Sequence, residues 1–450
     1  MAVWSEVTLT EIKHGRMDSE FYKPGYIEID RKLMSNNNIP LKGISKKIDV
    51  GHVGTMVQHY REEGVILLQT QQVDQFFLKL NNCVKITPEF HAKLKKSQVN
   101  NGDILIARSG SFGKAAIYLE EEPINSADII IINIHESIIE KGYLLSFLNS
   151  KFGSEQLIRF ASGGVQGHVN LKILEDLIIP IPDTEKQNVI SEIIKKSYFQ
   201  KKRSQKLYTQ AQKILAQELG LDKLKFKKPV GYEANFSDAM CSSRVDAEHF
   251  YPEFDSHCHH LPDHIKFTPL SKALTYCQRG KQPQYSENGI RVINSKHVLS
   301  NKINFDDNRF AEAPLIDSLK INHGDVLING TGRGTIGRAA AYLEKEAALP
   351  DNHVTILRTQ KLDPVYLSVF LNSKAGQLQV EKFQRGSSGQ IELYPMDIRK
   401  FLIWEAPESL QLEIRELHDK ASSLEKESQQ LLEKAKQMVE ALIEQAAGVT

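Results

Sequence analysis

Apolar runs of four to five residues, each bounded by Gly, Asn or Asp, recur through the first part of the chain: Gly64-Val-Ile-Leu-Leu68, Asp103-Ile-Leu-Ile106, Ala115-Ala-Ile-Tyr118 and Asp128-Ile-Ile-Ile-Ile132. Runs of that length between turn formers predict strands. From Tyr143 to Phe160 the apolar positions fall at helical spacing instead. Pro180-Ile-Pro182 then stops the globular part, and Asp183-Thr184 before Glu185 predicts a helix start with an acid in its first turn, where the helix dipole favours it. That helix is expected to reach about Leu219 and to end at Gly220.

The same pattern then returns. Arg16-Met-Asp18-Ser-Glu20-Phe-Tyr-Lys-Pro24 recurs as Arg244-Val-Asp246-Ala-Glu248-His-Phe-Tyr-Pro252, and Gly102-Asp-Ile-Leu-Ile106 as Gly324-Asp-Val-Leu-Ile328. Gly113-Lys-Ala-Ala-Ile-Tyr-Leu-Glu120 matches Gly337-Arg-Ala-Ala-Ala-Tyr-Leu-Glu344, and Tyr143 to Lys151 matches Tyr366 to Lys374. Preserved order with small shifts in offset means a duplication, so the fold class expected is two tandem homologous mixed α/β domains, each followed by a long helix. The boundaries predicted are a first domain at 1–182, a helix at 183–220, a linker at 221–235, a second domain at 236–406 and a second helix at 407–450.

Both long helices carry a heptad stripe. In the second, Leu417, Ala421, Leu424, Ser428, Leu431, Ala435, Met438 and Leu442 alternate steps of four and three. Subtracting 224 gives Ile193, Ser197, Gln200, Ser204, Leu207, Ala211, Ile214 and Glu218 in the first. A narrow apolar stripe cannot be buried alone, so the two helices are expected to pack as an antiparallel coiled coil.

Composition narrows the function classes. The chain has 450 residues, 41% hydrophobic and 25% charged, which excludes a disordered or purely fibrous protein. Lys plus Arg total 57 against 56 for Asp plus Glu, a net charge of +1, so any nucleic-acid surface must be local. Cys83, Cys241, Cys258 and Cys277 are scattered and fit a reducing compartment. Met1 to Glu6 lack the basic and apolar parts of a signal peptide, and the run at Ile129–Ile132 is too short to span a bilayer. A cytoplasmic location without membrane contact is expected.

Catalytic signatures are missing: no Walker A loop, no G-x-S-x-G elbow and no Asn/Asp-Pro-Pro-aromatic motif occurs. Gly332-Arg-Gly334-Thr-Ile-Gly337 formally satisfies G-x-G-x-x-G, but Ala339-Ala-Ala-Tyr342 leads into a strand rather than a helix, which predicts a glycine hairpin and no dinucleotide site. His257-Cys258-His259-His260 lacks a second ligand pair at finger spacing, and Asp18 with Glu20 reads better as an acidic helix start than as a metal site. Neither a catalytic set nor a metal site is expected.

What remains is binding. Gln69-Thr70-Gln71-Gln72 follows the Gly64 strand, and Asn294-Ser295-Lys296-His297 stands at the matched place. Amides pair bidentately with adenine, Lys with guanine and hydroxyls with either, so Gln69, Thr70, Gln71, Asn294, Ser295 and Lys296 are candidate base readers; a polar strand end facing water accounts for them equally. Arg61, Arg108, Lys114, His168, Arg279, Lys281, Arg333, Arg338 and Arg385 are the matching candidates for DNA backbone contacts, with solvated surface charge as the other reading.

Taken together, the Gly102–Ile106 strand with Ser109-Gly110 and Gly113-Lys114, the Pro180–Gln187 helix entry and their second copies resemble the specificity subunit of type I restriction-modification enzymes. The resemblance covers the whole chain and implies two target recognition domains that each read half of a bipartite double-stranded DNA site. It further implies two methyltransferase subunits docked on the helices, restriction subunits in the full assembly, and S-adenosylmethionine, ATP and Mg bound by those partners rather than by this chain. The helix entries Pro182-Asp183-Thr184 and Ala406-Pro407-Glu408 depart from the family's usual Pro-Leu-Pro type. The specificity chain of a related type II system and a coiled-coil scaffold without DNA specificity stay open as alternatives.

Overall fold

The computed structural model describes residues 4–110, 112–161, 169–224, 229–259, 261–262, 264–312, 319–386 and 391–448. The chain forms two compact units, Met1–Lys202 with Leu424–Thr450, and Arg203–Ser423. Each unit therefore owns a piece of both long helices.

In the first unit the strands that matter are β1 (Ser45–Val50), β2 (Val65–Leu68), β3 (Ile104–Ala107), β4 (Ala115–Ile117), β5 (Ile124–Ser126) and β6 (Ile129–Ile134). β1, β6, β3 and β4 run in that order in one five-stranded sheet, while β2 and β5 pair in another. β6 is apolar over Ile129–Ile132 because both its faces are covered there. Ile130 and Ile132 enter one core with Ile104 and Ile106 of β3, and the alternate residues Ile129 and Ile131 enter a second with Leu105 and Ala107. Helices α1 (Lys141–Asn149), α2 (Lys151–Ala161) and α3 (Thr184–Glu218) follow.

The second unit repeats this plan with β7 (Leu274–Arg279), β8 (Ile290–Ile293), β9 (Val326–Asn329), β10 (Ala339–Ala341), β11 (Leu349–Pro350) and β12 (Val354–Thr359), then α4 (Pro364–Asn372), α5 (Lys374–Phe383) and α6 (Glu408–Ala446). β7, β12, β9 and β10 form its main sheet, and β8 pairs with β11. The repeated sequence motifs turn out to be locks between elements. Asn149 closes a two-way hydrogen bond on the backbone of Ala115, at 3.2 and 2.8 Å, and Asn372 does the same to Ala339 at 3.2 and 2.6 Å. Tyr143 donates its hydroxyl to Pro180 O at 2.9 Å, and Tyr366 to Trp404 O at 2.7 Å.

The apolar spacing from Tyr143 to Phe160 runs through a break. Ser150 adopts an extended backbone and turns the chain between α1 and α2, and Ser373 does so between α4 and α5. The second helix of each pair packs back so closely that a Cβ on Gly153 would sit 2.2 Å from Phe147 O, and one on Gly376 2.3 Å from Leu371 O. Arg16-x-Asp18 is not a helix start: Arg16 Nε and Nη2 each donate to the Asp18 carboxylate at 2.7 Å, and Asp18 Oδ1 accepts from Phe21 N at 3.1 Å. The helix nearby begins only at Pro24. Arg244 and Asp246 repeat the pair.

The long helices run antiparallel within each unit. In the first, Ser197 Oγ lies 2.8 Å from Ser428 Oγ, and Gln200 donates to Glu427 at 2.9 Å. In the second, Ser204 Oγ donates to Ala421 O at 2.8 Å, and Tyr208 meets His418 edge-on at 5.4 Å. The stripe differs from the predicted leucine series. Its small members Ser197, Ser204, Ala211, Ala421, Ser428 and Ala435 are fully buried, whereas Ile193, Leu207, Ile214, Leu417, Leu424, Leu431, Met438 and Leu442 are only half-buried. Leu215, His418, Val439 and Ile443, one position further along, take the buried places. Serine hydroxyls that reach the opposite carbonyl bring the backbones close, and the helix ends turn toward the cores of the units, which rotates the stripe. Ala435, Val439 and Ile443 belong to the main core of the first unit, and Ala211, Leu215 and Ile414 to that of the second.

Candidate nucleic-acid interface

In each unit a short parallel strand pair ends at the candidate readers. Ser126 of β5 stands beside Leu68 of β2, so Gln69 and Ala127 leave the sheet together; Pro350 of β11 stands beside Ile293 of β8, so Asn294 and Asp351 do likewise. After β2 the chain makes a single 3-10 turn over Thr70–Gln72. Gln69 N donates to Gln72 Oε1 at 3.0 Å, and Gln71 Nε2 donates to Gln69 Oε1 at 3.2 Å. After β8, Asn294 N lies 3.1 Å from His297 Nδ1, and Lys296 N donates to Asn294 Oδ1 at 3.2 Å. The fourth residue of each quartet is thus a buried lock, Gln72 at 6% exposure and His297 at 1%, while Gln71 and Lys296 project into solvent. Burial holds the His297 imidazole below its ordinary pKa, with Lys296 adding to the effect, so it serves as a neutral acceptor for the turn. Asn329 fixes the second turn from beneath through Nδ2 to Ser295 O at 3.0 Å.

The candidate backbone contacts separate into free and committed cations. Lys281 and Arg333 are exposed and Arg338 half-buried, the last two on the glycine hairpin between β9 and β10. Arg61 is exposed and steadied by Gln58 O at 3.0 Å and Tyr60 O at 2.7 Å. Arg108 pairs with Asp128 at 2.9 Å, and Arg279 with Glu392 at 3.3 Å. Arg385 is bound through Nε and Nη2 to both oxygens of Asp397, a carboxylate 1% exposed, at 2.9 and 3.0 Å. That side chain ties the segment just after α5 to the short helix Pro395–Ile398. His168 lies outside the described residues, as do the side chains of His257, His259 and His260. Among the described residues, no three His, Cys, Asp or Glu are grouped so as to hold a metal ion.

Lys114 is likewise committed, to Asp74 at 2.8 Å, with Lys79 on the other oxygen at 2.6 Å. Burial pushes the Asp74 carboxyl up, but the hydrogen bonds from Lys114 and Lys79 outweigh it and hold the pKa at about 2, below the ordinary 3.8. A depressed folded pKa stabilises the protein above the unfolded value and ceases to do so as pH falls through the folded one. The shift corresponds to about 2 kcal/mol. Asp74→Asn should therefore lower thermal stability by about that amount at pH 6, and its gap from the parent should close as the pH falls from about 4 toward 2; a pH-independent gap in calorimetric scans would refute this.

Sequence reasoning missed several side chains at the same edge. Ser109 Oγ donates to Asp128 Oδ2 at 3.1 Å, and Thr331 Oγ1 lies 2.8 Å from His353 Nδ1. Arg309 stacks over Tyr285, 3.7 Å from its ring centre. The signal for the first two was present, since Asp128 and His353 fall at the matched place before β6 and β12.

With this geometry in place, residues 9–208 match the family model described as the type I restriction modification DNA specificity domain. The type I restriction enzyme EcoBI specificity subunit of Escherichia coli is 27% identical over 130 residues, 29% of this chain and 27% of that protein. The S subunit of a type I restriction-modification system from M. genitalium aligns over 90% of this chain and 94% of its own at 11% identity and a TM-score of 0.40, and the HsdS subunit of Thermoanaerobacter tengcongensis over 92% and 97% at 13% and 0.28. Over residues 9–208, less than half of its length, the chain is thus similar to a type I restriction modification DNA specificity domain.

Proposed function

We propose that this chain is the address-reading subunit of a type I restriction-modification complex, and that it performs no chemistry itself. Each unit reads one half of a bipartite, asymmetric double-stranded DNA site, and the paired helices set the distance between the halves and dock two methyltransferase subunits, with restriction subunits completing the assembly. S-adenosylmethionine, ATP and Mg belong to those partners, and the complex works in the cytoplasm. The observation that carries this reading is the duplicated strand-end turn: one backbone arrangement, locked from beneath by Gln72 in one unit and His297 in the other, presents different side chains at the surface. A duplicated frame with divergent exposed residues is what reading two unrelated half-sites requires. The net charge of +1 agrees, because partners can supply most of the phosphate attraction.

The helices offer a direct test. One heptad inserted into each of α3 and α6 keeps the stripe in register and adds about 10 Å. The unspecified gap between half-sites should widen by about three base pairs at ~3.4 Å each while both half-sequences stay the same. Sequencing the modified sites made by the double-insertion variant checks this, and an active complex with an unchanged gap would remove the spacing role.

A further inference from the structure

The matched edge holds a second pair of positions whose chemistry differs between the units. Ala107 of β3 lies opposite Ile129 of β6, and Asn329 of β9 opposite Val354 of β12. That register makes Arg108-Ser109 and Asp128 the counterparts of Gly330-Thr331 and His353. In each unit a hydroxyl from the first strand end orients the side chain that precedes the second strand: Ser109 to Asp128 at 3.1 Å, Thr331 to His353 Nδ1 at 2.8 Å. The oriented groups are an acid in one unit and an imidazole in the other. They stand beside the reader turns, since Ala127 N donates to Leu68 O at 2.8 Å and Asp351 N to Ile293 O at 3.0 Å.

Resting on the DNA-reading function proposed above, we infer that Asp128, backed by Arg108, and His353 are further base-reading side chains, one in each unit. Nearby positions that merely hold the fold are identical in the two copies: Asp103 and Asp325, Tyr118 and Tyr342, Asn149 and Asn372. This position keeps its backbone place and its hydroxyl partner while its chemistry changes, as the Gln69 and Asn294 turns do.

Two features show that the fold bears a cost here. Asp128 sits at φ 52°, in the left-handed region, and its two oxygens accept from Arg108 and Ser109. A guanidinium is also brought to this edge twice by different routes. Arg108 comes from the end of β3, whereas in the second unit Arg279 reaches over from the end of β7 and donates Nη2 to Gly330 O at 3.3 Å. A Cβ at Gly330 would lie 3.1 Å from that same Nη2, so the glycine leaves room for the arginine. The Nε of Arg108 and the Nε of Arg279 are both buried without a hydrogen-bond partner. An unpaired buried donor is destabilising, and native folds carry few of them.

The ligand class follows from the donors and acceptors presented. Each carboxylate oxygen of Asp128 retains lone-pair capacity beyond its present partner and can accept from the exocyclic amino group of cytosine or adenine in the major groove. His353 is exposed; in the tautomer whose Nδ1 accepts from Thr331, Nε2–H is left to donate to a purine N7 or a base carbonyl, and in the other tautomer Nε2 is left to accept from an exocyclic amino group.

The test is single-molecule sequencing of modified sites in source cells carrying Asp128→Asn or His353→Ala in the full-length chain. Each substitution should relax one base position, in opposite halves of the motif, by roughly 10- to 100-fold in preference. That position should differ from the one relaxed by Gln71→Ala or Lys296→Ala. A sharp parental motif that neither substitution moves would overturn this assignment alone, whereas a parental strain with no motif dependent on this chain would overturn the DNA-reading function itself. Should a substitution abolish modification, binding of the purified full-length variant to duplexes varied one base pair at a time decides: weakening confined to one position supports the inference, and equal weakening at every position overturns it.

Discussion

Alanine at both Gln69 and Gln71 should relax one half of the recognised sequence and leave the other half intact. The turn that carries them should survive, because Gln72 Oε1 still accepts from the backbone N of residue 69 and Gln72 stays buried beneath. The structural loss is the 3.2 Å hydrogen bond between the two amides, which lies at the surface. Surface substitutions of this kind change stability by about 0.5 kcal/mol or less. Each lost bidentate base contact, in contrast, should cost about 1 to 3 kcal/mol of discrimination, enough to turn a specified base into an unspecified one. Sites modified in cells carrying the double variant supply the readout. Both halves changing together, or neither, would show that this turn does not read bases.

The largest stability effect is expected from Asp30→Ala. Its carboxylate accepts from Arg159 at 2.8 Å, and the Arg159 side chain is only 3% exposed. Arg159 also donates to Phe21 O at 2.6 Å and lies 4.1 Å above the Phe21 ring, so α2 is bolted to the amino-terminal segment through one cation. Removing the acid takes the carboxylate partner from a buried cation, a change that costs about 3 to 5 kcal/mol. In the second unit Lys382 takes the place of Arg159 and pairs with Asp255 at 2.7 Å, but that acid is 49% exposed. Asp255→Ala should therefore cost under about 1 kcal/mol. Hydrogen exchange of the α2 amides should accelerate by about 100-fold or more in the first variant, at ~1.4 kcal/mol per tenfold, with far less change at α5 in the second. Equal effects in the two variants would contradict the buried-charge account.

Much of the architecture was legible because the duplication repeats local rules. Four-residue apolar runs became β2, β3, β4 and β6, and the acid after Pro182 does cap α3, with Asp183 Oδ1 accepting from Lys186 N at 2.9 Å. The break at Ser150 was not legible, since the apolar spacing passes through it and only the close approach at Gly153 forces the turn. Toward the ends of α6 the stripe was displaced by one residue, to His418, Val439 and Ile443, because a heptad count ignores the cores on which the helix ends pack. In the candidate turns, residue type could not separate exposed side chains from locks: Gln72 and His297 have side chains as polar as their neighbours', and only burial distinguishes them. The commitment of Lys114 to Asp74 and of Arg385 to Asp397 depends on partners 40 and 12 residues away, which no local pattern reveals.

Whether this chain supplies the address for DNA modification is tested most directly by the methylome of the source organism with and without this gene. One bipartite motif, with two specified halves and an unspecified gap, should be modified in the parent, lost on deletion, and restored by the gene on a plasmid. Modification of every motif persisting unchanged after deletion, in cells whose methyltransferase partners are expressed, would contradict that role.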